Sequence, residues 1–272
     1  MSTTITLGGT STITPTGSGT TSPARIPLRR IVAVELRKSV DTRSGFWLLA
    51  GTGIAAVLAT FLVIAFAPDD QLTYSTFTLA TGYPMSVLLP LIAVLSVTAE
   101  WSQRSGLTTF TLVPHRGRVI LAKGIAMLLV GLAAMLLAFP LGAVGNLVGT
   151  TVHGLPRVWD QSASDLAYFA LANTLLMAVG FMLGVLVRTS AGAIVSYFVY
   201  AFVAPTLLTF LAMSQDWFRT AQPWVDPNYS QDALFHGGFD AQQWTQLCVT
   251  SAVWLVAPLA LGVATLLRSE VK

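Results

Sequence analysis

The chain has 272 residues, of which 54% are apolar and only 10% charged, and its formal net charge is +3 at pH 7. A soluble domain carries about a quarter charged residues, so this composition excludes an ordinary water-soluble fold and points to lipid. The single cysteine, Cys248, excludes an intramolecular disulfide and a cysteine-based metal centre.

Residues 1–24 are rich in Ser, Thr and Gly and hold no continuous apolar core of seven residues. They are expected to be a disordered cytoplasmic tail, and a signal peptide is excluded. Over residues 25–45 the pattern changes. Leu28, Ile31, Val32, Leu36 and Val40 fall near helical spacing, with Arg29, Arg30, Arg37 and Lys38 between them and Pro27 suited to a first turn. That pattern predicts an amphipathic helix lying in the inner headgroup layer, as an anchor or as a mechanical element.

Six uncharged, apolar runs follow, at 46–67, 77–99, 124–148, 166–187, 191–213 and 247–267. Each is close to the roughly 20 residues that cross about 30 Å of hydrocarbon as a helix. None alternates in polarity as a barrel strand would. The expected fold is an all-α membrane protein with spans at about 46–67, 77–99, 119–148, 166–187, 191–213 and 245–267, forming one domain over 46–272.

An even number of spans places both termini on one side. Of the 15 Lys and Arg residues, only Arg157 and Arg219 fall on the other side. The positive-inside rule then puts both termini in the cytoplasm of a cell with this chain in its inner or plasma membrane. The positive charge is a collar next to anionic headgroups, which argues against nucleic acid as a partner. Eight aspartates, from Asp69 to Asp240, lie on the outer side. The longest outer stretch, 214–244, carries Trp217, Trp224, Tyr229, Phe235, His236 and Trp244. Such aromatics on a polar loop suggest a half-inserted or interfacial element, or the lining of a substrate exit.

Chemistry within the spans is sparse. Intramembrane polar groups are costly and mark function, and the candidates are Asn146 and Asn173, for a substrate path, and Glu100 at the inner end of the second span. His115, His153 and His236 sit in three separate loops, and no HExxH, GxSxG pairing or GxxxxGK[ST] is present. The chain is therefore not expected to be an enzyme by itself or to bind a metal or cofactor. Pro84, Pro90, Pro140 and Pro205 predict kinks. The pairs Gly145 with Gly149 and Gly180 with Gly184 allow close helix approach, within one subunit or across a dimer.

Between the second and third spans lies the most basic and polar connection, AEWSQRSGLTTFTLVPHRGRVILAKG, from Ala99 to Gly124. Glu100, Gly106, Leu112, Pro114, Arg116 and Lys123 follow the spacing E-x5-G-x5-L-x-P-x-R-x6-K. This hairpin, with the six-span layout, the basic helix before the first span and the enlarged connection before the sixth, resembles the type-2 permeases of ATP-binding-cassette (ABC) exporters. The resemblance covers nearly everything after residue 25.

The resemblance implies that the 100–118 hairpin is a coupling element docked on a separate cytoplasmic ATPase. ATP and Mg would be bound by two such ATPase subunits, paired with this chain and a second copy or a related permease. Trp101, Leu107, Phe110 and Leu112 could supply an apolar face, and Arg104 and Arg116 could pair with acidic residues at its rim. Gly106 would allow a turn, Pro114 would end a short helix, and Glu100 would pair with Arg104. Arg118 and Lys123 are expected to snorkel to headgroups. The exported substrate would be hydrophobic or amphipathic. The alternatives are a membrane scaffold or sensor subunit that recruits a cytoplasmic partner, and an intramembrane enzyme.

Overall fold

A computed structural model describes residues 26–102 and 116–268, without the side chains of 100–102 and Arg116. Every regular element among them is helical. Helix α1 is Leu28–Asp41, α2 is Arg43–Phe66, α3 is Tyr74–Ser102, α4 is Arg116–Val152 and α5 is Ala163–Val187. Helix α6 is Ser190–Ser214, α7 is Asp216–Val225, α8 is Pro227–His236 and α9 is Ala241–Arg268. Six of these, α2 to α6 and α9, are long and apolar enough to cross a membrane, and the chain is a multi-pass membrane protein.

The observed spans are longer than the apolar runs. The third begins at Arg116 and not near 119, because Arg116 and Arg118 continue the helix beyond its uncharged part. The second runs on to Ser102, past Glu100. The expected 100–118 hairpin is thus helical at both roots, and residues 103–115 at its tip lie outside the described residues. The helix expected over 25–45 ends at Asp41, where extended Thr42 accepts the Gly45 N–H on its side chain and starts α2.

Helices α3 and α5 form the centre. Half of the residues in their apolar windows are buried, against 6% in α6. Helix α3 packs against α2, α4, α5 and α6. The two small-residue pairs serve these contacts within the chain. A Cβ at Gly180 would run into the backbone of Pro90, one at Gly184 would crowd Val94, and one at Gly145 would meet Phe77 and Thr60. Large apolar side chains such as Phe61, Leu137, Leu207 and Phe210 remain on the outside, as lipid-facing surfaces require.

The gaps that three prolines leave in the backbone hydrogen bonding are met in two ways. Pro90 has no N–H for the carbonyl of Ser86 one turn earlier, and the Tyr197 hydroxyl on α6 donates to that oxygen at 2.6 Å. In α6 and α9, π-helical turns at Val199–Val203 and Ala252–Val256 each precede the dipeptide Ala-Pro, at Ala204-Pro205 and Ala257-Pro258. The missing proline N–H and ring clash account for the wider turn.

The stretch 214–244 was expected to be an aromatic-rich loop, half-inserted or interfacial, or lining a substrate exit. Within it 216–236 fold into α7 and α8, two helices whose turn at Asp226 sits against the middle of α6 and α9. Asn228 Nδ2 donates to the Tyr200 carbonyl at 3.2 Å, and Trp254 Nε1 donates to the Val225 carbonyl at 2.9 Å. Each arm has ten residues, about 15 Å of rise, so the pair re-enters the bundle to near mid-depth. Phe235 and Leu234 pack on α5, Phe235 edge-on to Phe169. Gly237 and Gly238, at φ 71° and 70°, make the turn that leads out to α9.

Replacing Gly180 by Val should loosen the α3–α5 contact and cost about 1–3 kcal/mol by overpacking. Gly51→Val, at a site with no atom within 4 Å of the new Cβ, is the control. Thermal unfolding of the two detergent-solubilised variants should show a clear loss only for Gly180→Val.

Candidate functional site

Two polar centres stand out along α3, one near its basic end and one near its middle. The first lies at the basic end, near the root of the 100–118 hairpin. Glu35 is on the buried face of α1 with Ile31, Val32 and Ser39, and is 5% exposed. Its Oε2 accepts from Lys123 Nζ of α4 at 2.6 Å, and its Oε1 from Lys38 Nζ at 2.7 Å. Lys123 Nζ also donates to the Ser96 carbonyl of α3 at 3.0 Å. Three helices therefore meet at one charge pair.

Lys123 was expected to snorkel to headgroups, but it is 3% exposed. The reason is that α1 covers it and carries a carboxylate at the right height. Arg118 does lie near the surface, donating to the Ile26 carbonyl at 2.9 Å. Arg29, Arg30, Arg37 and Lys38 are on the exposed side of α1, where Arg37 pairs with Asp41 at 3.2 Å. Burial pushes the Glu35 carboxyl up, and the Lys123 and Lys38 ammonium groups more than offset it, so it titrates below the usual glutamate range. A cavity of about 360 Å³ beside the pair is bordered by Ser39, Thr42, Ser96, Ala99 and Ser190.

The second centre is at the tip of the α7–α8 pair. Asp226 is 2% exposed. Its Oδ1 accepts the N–H groups of Asn228 and Tyr229 and so caps α8, and its Oδ2 accepts from Gln222 Nε2 at 3.1 Å. Gln231 Nε2 donates to the Tyr200 hydroxyl at 3.3 Å, and Ser230 shares a hydrogen bond with Thr250 of α9 at 2.7 Å. A cavity of about 300 Å³ opens here between α3, α6 and the re-entrant pair. An ionisable group near mid-depth was not expected, because Asp226 lies in a polar stretch that reads as an external loop. The signal that could have found it is the repeated Val-Ala-Pro at Val203–Pro205 and Val256–Pro258 on either side of that stretch.

The remaining sequence candidates are distributed as follows. Glu100 and Trp101 lie in the last turns of α3, and Arg116 opens α4. Arg104, Gly106, Leu107, Phe110, Leu112 and Pro114 lie outside the described residues. Asn146 is fully buried and donates to the Val158 carbonyl at 3.0 Å, tethering the α4–α5 connection. Asn173 is 2% exposed and donates to the Phe169 carbonyl of its own helix. Neither Asn borders the cavities described here. At that same end Asp160 accepts from the N–H and hydroxyl of Ser75 at 2.8 and 2.6 Å, capping α3 from another connection. No group of three or more His, Cys, Asp or Glu residues able to hold a metal occurs among the described residues.

No protein-family model matches this chain, and no curated protein matches it either.

The charge pair should be sensitive to single substitution and to acid. Lys123→Met leaves Glu35 buried without its closest cation, and a broken buried pair typically costs about 3–5 kcal/mol. The double change Glu35→Leu with Lys123→Met should recover most of that loss. Because the folded carboxyl titrates below the usual range, its contribution is complete at neutral pH. It is lost as the pH falls through and below about 4.3. Unfolding followed from pH 7 to pH 3 should show an acid-sensitive component in the wild type that Glu35→Gln lacks.

Proposed function

We propose that the chain is the membrane subunit of an ATP-driven exporter of the ABC type-2 permease class. The basic end then faces the cytoplasm of the cell that carries the chain in its inner or plasma membrane. Two such subunits pair, and each 100–118 hairpin docks on one of two cytoplasmic ATPases, which bind ATP and Mg.

One observation carries this reading: α3 joins the hairpin root at Ser102 to the wall of the polar cavity at Tyr83 and Ser86. The Glu35–Lys123–Ser96 junction fixes α1 and α4 to the same helix one turn or so above the hairpin. A push on the hairpin is therefore delivered to three helices together. It reaches the contact in which Tyr197 of α6 holds the Ser86 carbonyl. The ATPase can drive this change only by binding the hairpin differently in its open and closed forms. A cavity near mid-depth, built partly by re-entrant backbone, is also how membrane transporters hold cargo.

The test compares partners of the tagged wild-type chain and of Leu112→Asp with Arg116→Glu, captured from solubilised membranes and identified by mass spectrometry. A Walker-motif ATPase should accompany the wild type and be lost from the variant, which should still insert and elute as a single species. The reconstituted complex should show ATPase activity that rises with cargo. If wild type captures no ATPase, the transporter reading fails and a scaffold or enzyme takes its place.

A further inference from the structure

We infer that the cavity at the tip of the re-entrant pair binds an amphipathic organic ammonium, held through its N–H group by Asp226 and Gln231, with its apolar body against Tyr83, Phe202 and Phe235. As a binding site this stands on its own residues; as the cargo site it rests on the transporter reading.

Charge is the first argument. Asp226 and Asp232 both line the cavity, and among the described residues no Lys or Arg does. Among the described residues no cation lies within ion-pair distance of Asp226. Its carboxylate is held by N–H dipoles of Asn228, Tyr229 and Gln222, which solvate the charge and leave it in place. A carboxylate near mid-depth is costly unless a counter-charge arrives, and an anionic ligand would be repelled.

Hydrogen bonding is the second. Gln231 is 3% exposed and lines the same cavity, and its Oε1 meets no donor among the described residues. Buried acceptors left alone are rare and call for a partner. A ligand N–H supplies one, which a quaternary ammonium or a neutral hydrocarbon cannot.

Shape and surface are the third. About 300 Å³ is at the lower end of ligand pockets, too large for a bare metal ion and sized for a small organic body. Aromatic faces attract an organic cation further. A second cavity of about 350 Å³ shares Tyr83, Ser86, Asp232 and Phe235 and reaches His236, at the outward end of α8. The site therefore continues toward the end of the molecule opposite the hairpin roots.

The experiment is calorimetric titration of the full chain, in a neutral maltoside detergent at pH 7, with 4-phenylbutylamine and with 4-phenylbutan-1-ol, each against a detergent-only blank. The amine, protonated at this pH, should bind saturably and at least tenfold more tightly than the alcohol. Asp226→Asn keeps a side chain that caps helices about as well as Asp and should weaken the amine tenfold or more. Gln231→Leu and Asp232→Asn do not touch that cap and should each weaken it several-fold, so the prediction can be read even if Asp226→Asn does not fold. Equal binding of amine and alcohol, or amine binding unchanged in these variants, overturns the proposal, as does no amine binding to the wild type. The assay contains no ATPase. Its failure beside a successful pull-down removes only the ligand class, whereas amine binding without a captured ATPase leaves a receptor site and removes the exporter.

Discussion

In a hydrocarbon environment a backbone carbonyl without a donor has no water to fall back on, and this chain places prolines where that matters. Pro90, Pro205 and Pro258 each withhold an N–H from the preceding turn inside a span. Two answers are used. Tyr197 of α6 supplies a hydroxyl to the Ser86 carbonyl. In α6 and α9 the backbone widens into a π-helical turn, and the re-entrant pair docks against both turns, through Asn228 to Tyr200 and Trp254 to Val225. The re-entrant pair is thus held by both π-helical turns, and the polar cavity lies between it, α3 and α6.

The charge junction near the hairpin root follows a different logic. Glu35 and Lys123 come from segments 88 residues apart, and in isolation either would be costly to bury. Together, with Lys38 on the second carboxylate oxygen and the Ser96 carbonyl on the ammonium, their hydrogen-bonding capacity is well used. Such a pair adds little net stability compared with an apolar contact of the same shape, yet it fixes which surfaces meet. An amphipathic α1 with only leucines could slide along α4; a carboxylate that must find Lys123 cannot. The junction sets the register of α1 against the two helices that carry the hairpin.

Much of this architecture was legible because hydrocarbon imposes a length and a composition that the six runs display. Their existence and order could be read, whereas their ends could not, since Glu100, Arg116 and Arg118 extend helices that apolarity alone would stop. The partners of Lys123 and Asp226 were hidden for a physical reason. A basic residue beside a span looks the same whether it reaches headgroups or a carboxylate on another helix. Polar residues between two spans look external whether they lie in water or fold back as capped helices. Glu35 sits three residues before Lys38 on a helix whose sequence signal is its apolar stripe, and nothing in its neighbours marks it as buried. In both cases the missing information is which element covers the residue. That is a tertiary fact.

The two centres are coupled by geometry and not by sequence proximity. Helix α3 carries Ser96 at one and Ser86 and Tyr83 at the other, with Pro90 between them. A proline lets such a helix bend without losing a further backbone hydrogen bond, because the bond is already absent, and of the two prolines in α3 Pro90 is the one between the two centres. Tyr197 is fastened to the carbonyl that the kink exposes, and its neighbour Tyr200 touches both Asn228 and Gln231. Any change of angle at Pro90 must therefore either carry α6 and the re-entrant tip with it or break the Tyr197 hydrogen bond. Interfaces packed as closely as Gly180 on Pro90 tend to have discrete arrangements and little room between them. The cavity is expected to change shape in a step, and an occupied Asp226 would bias which side of that step is favoured.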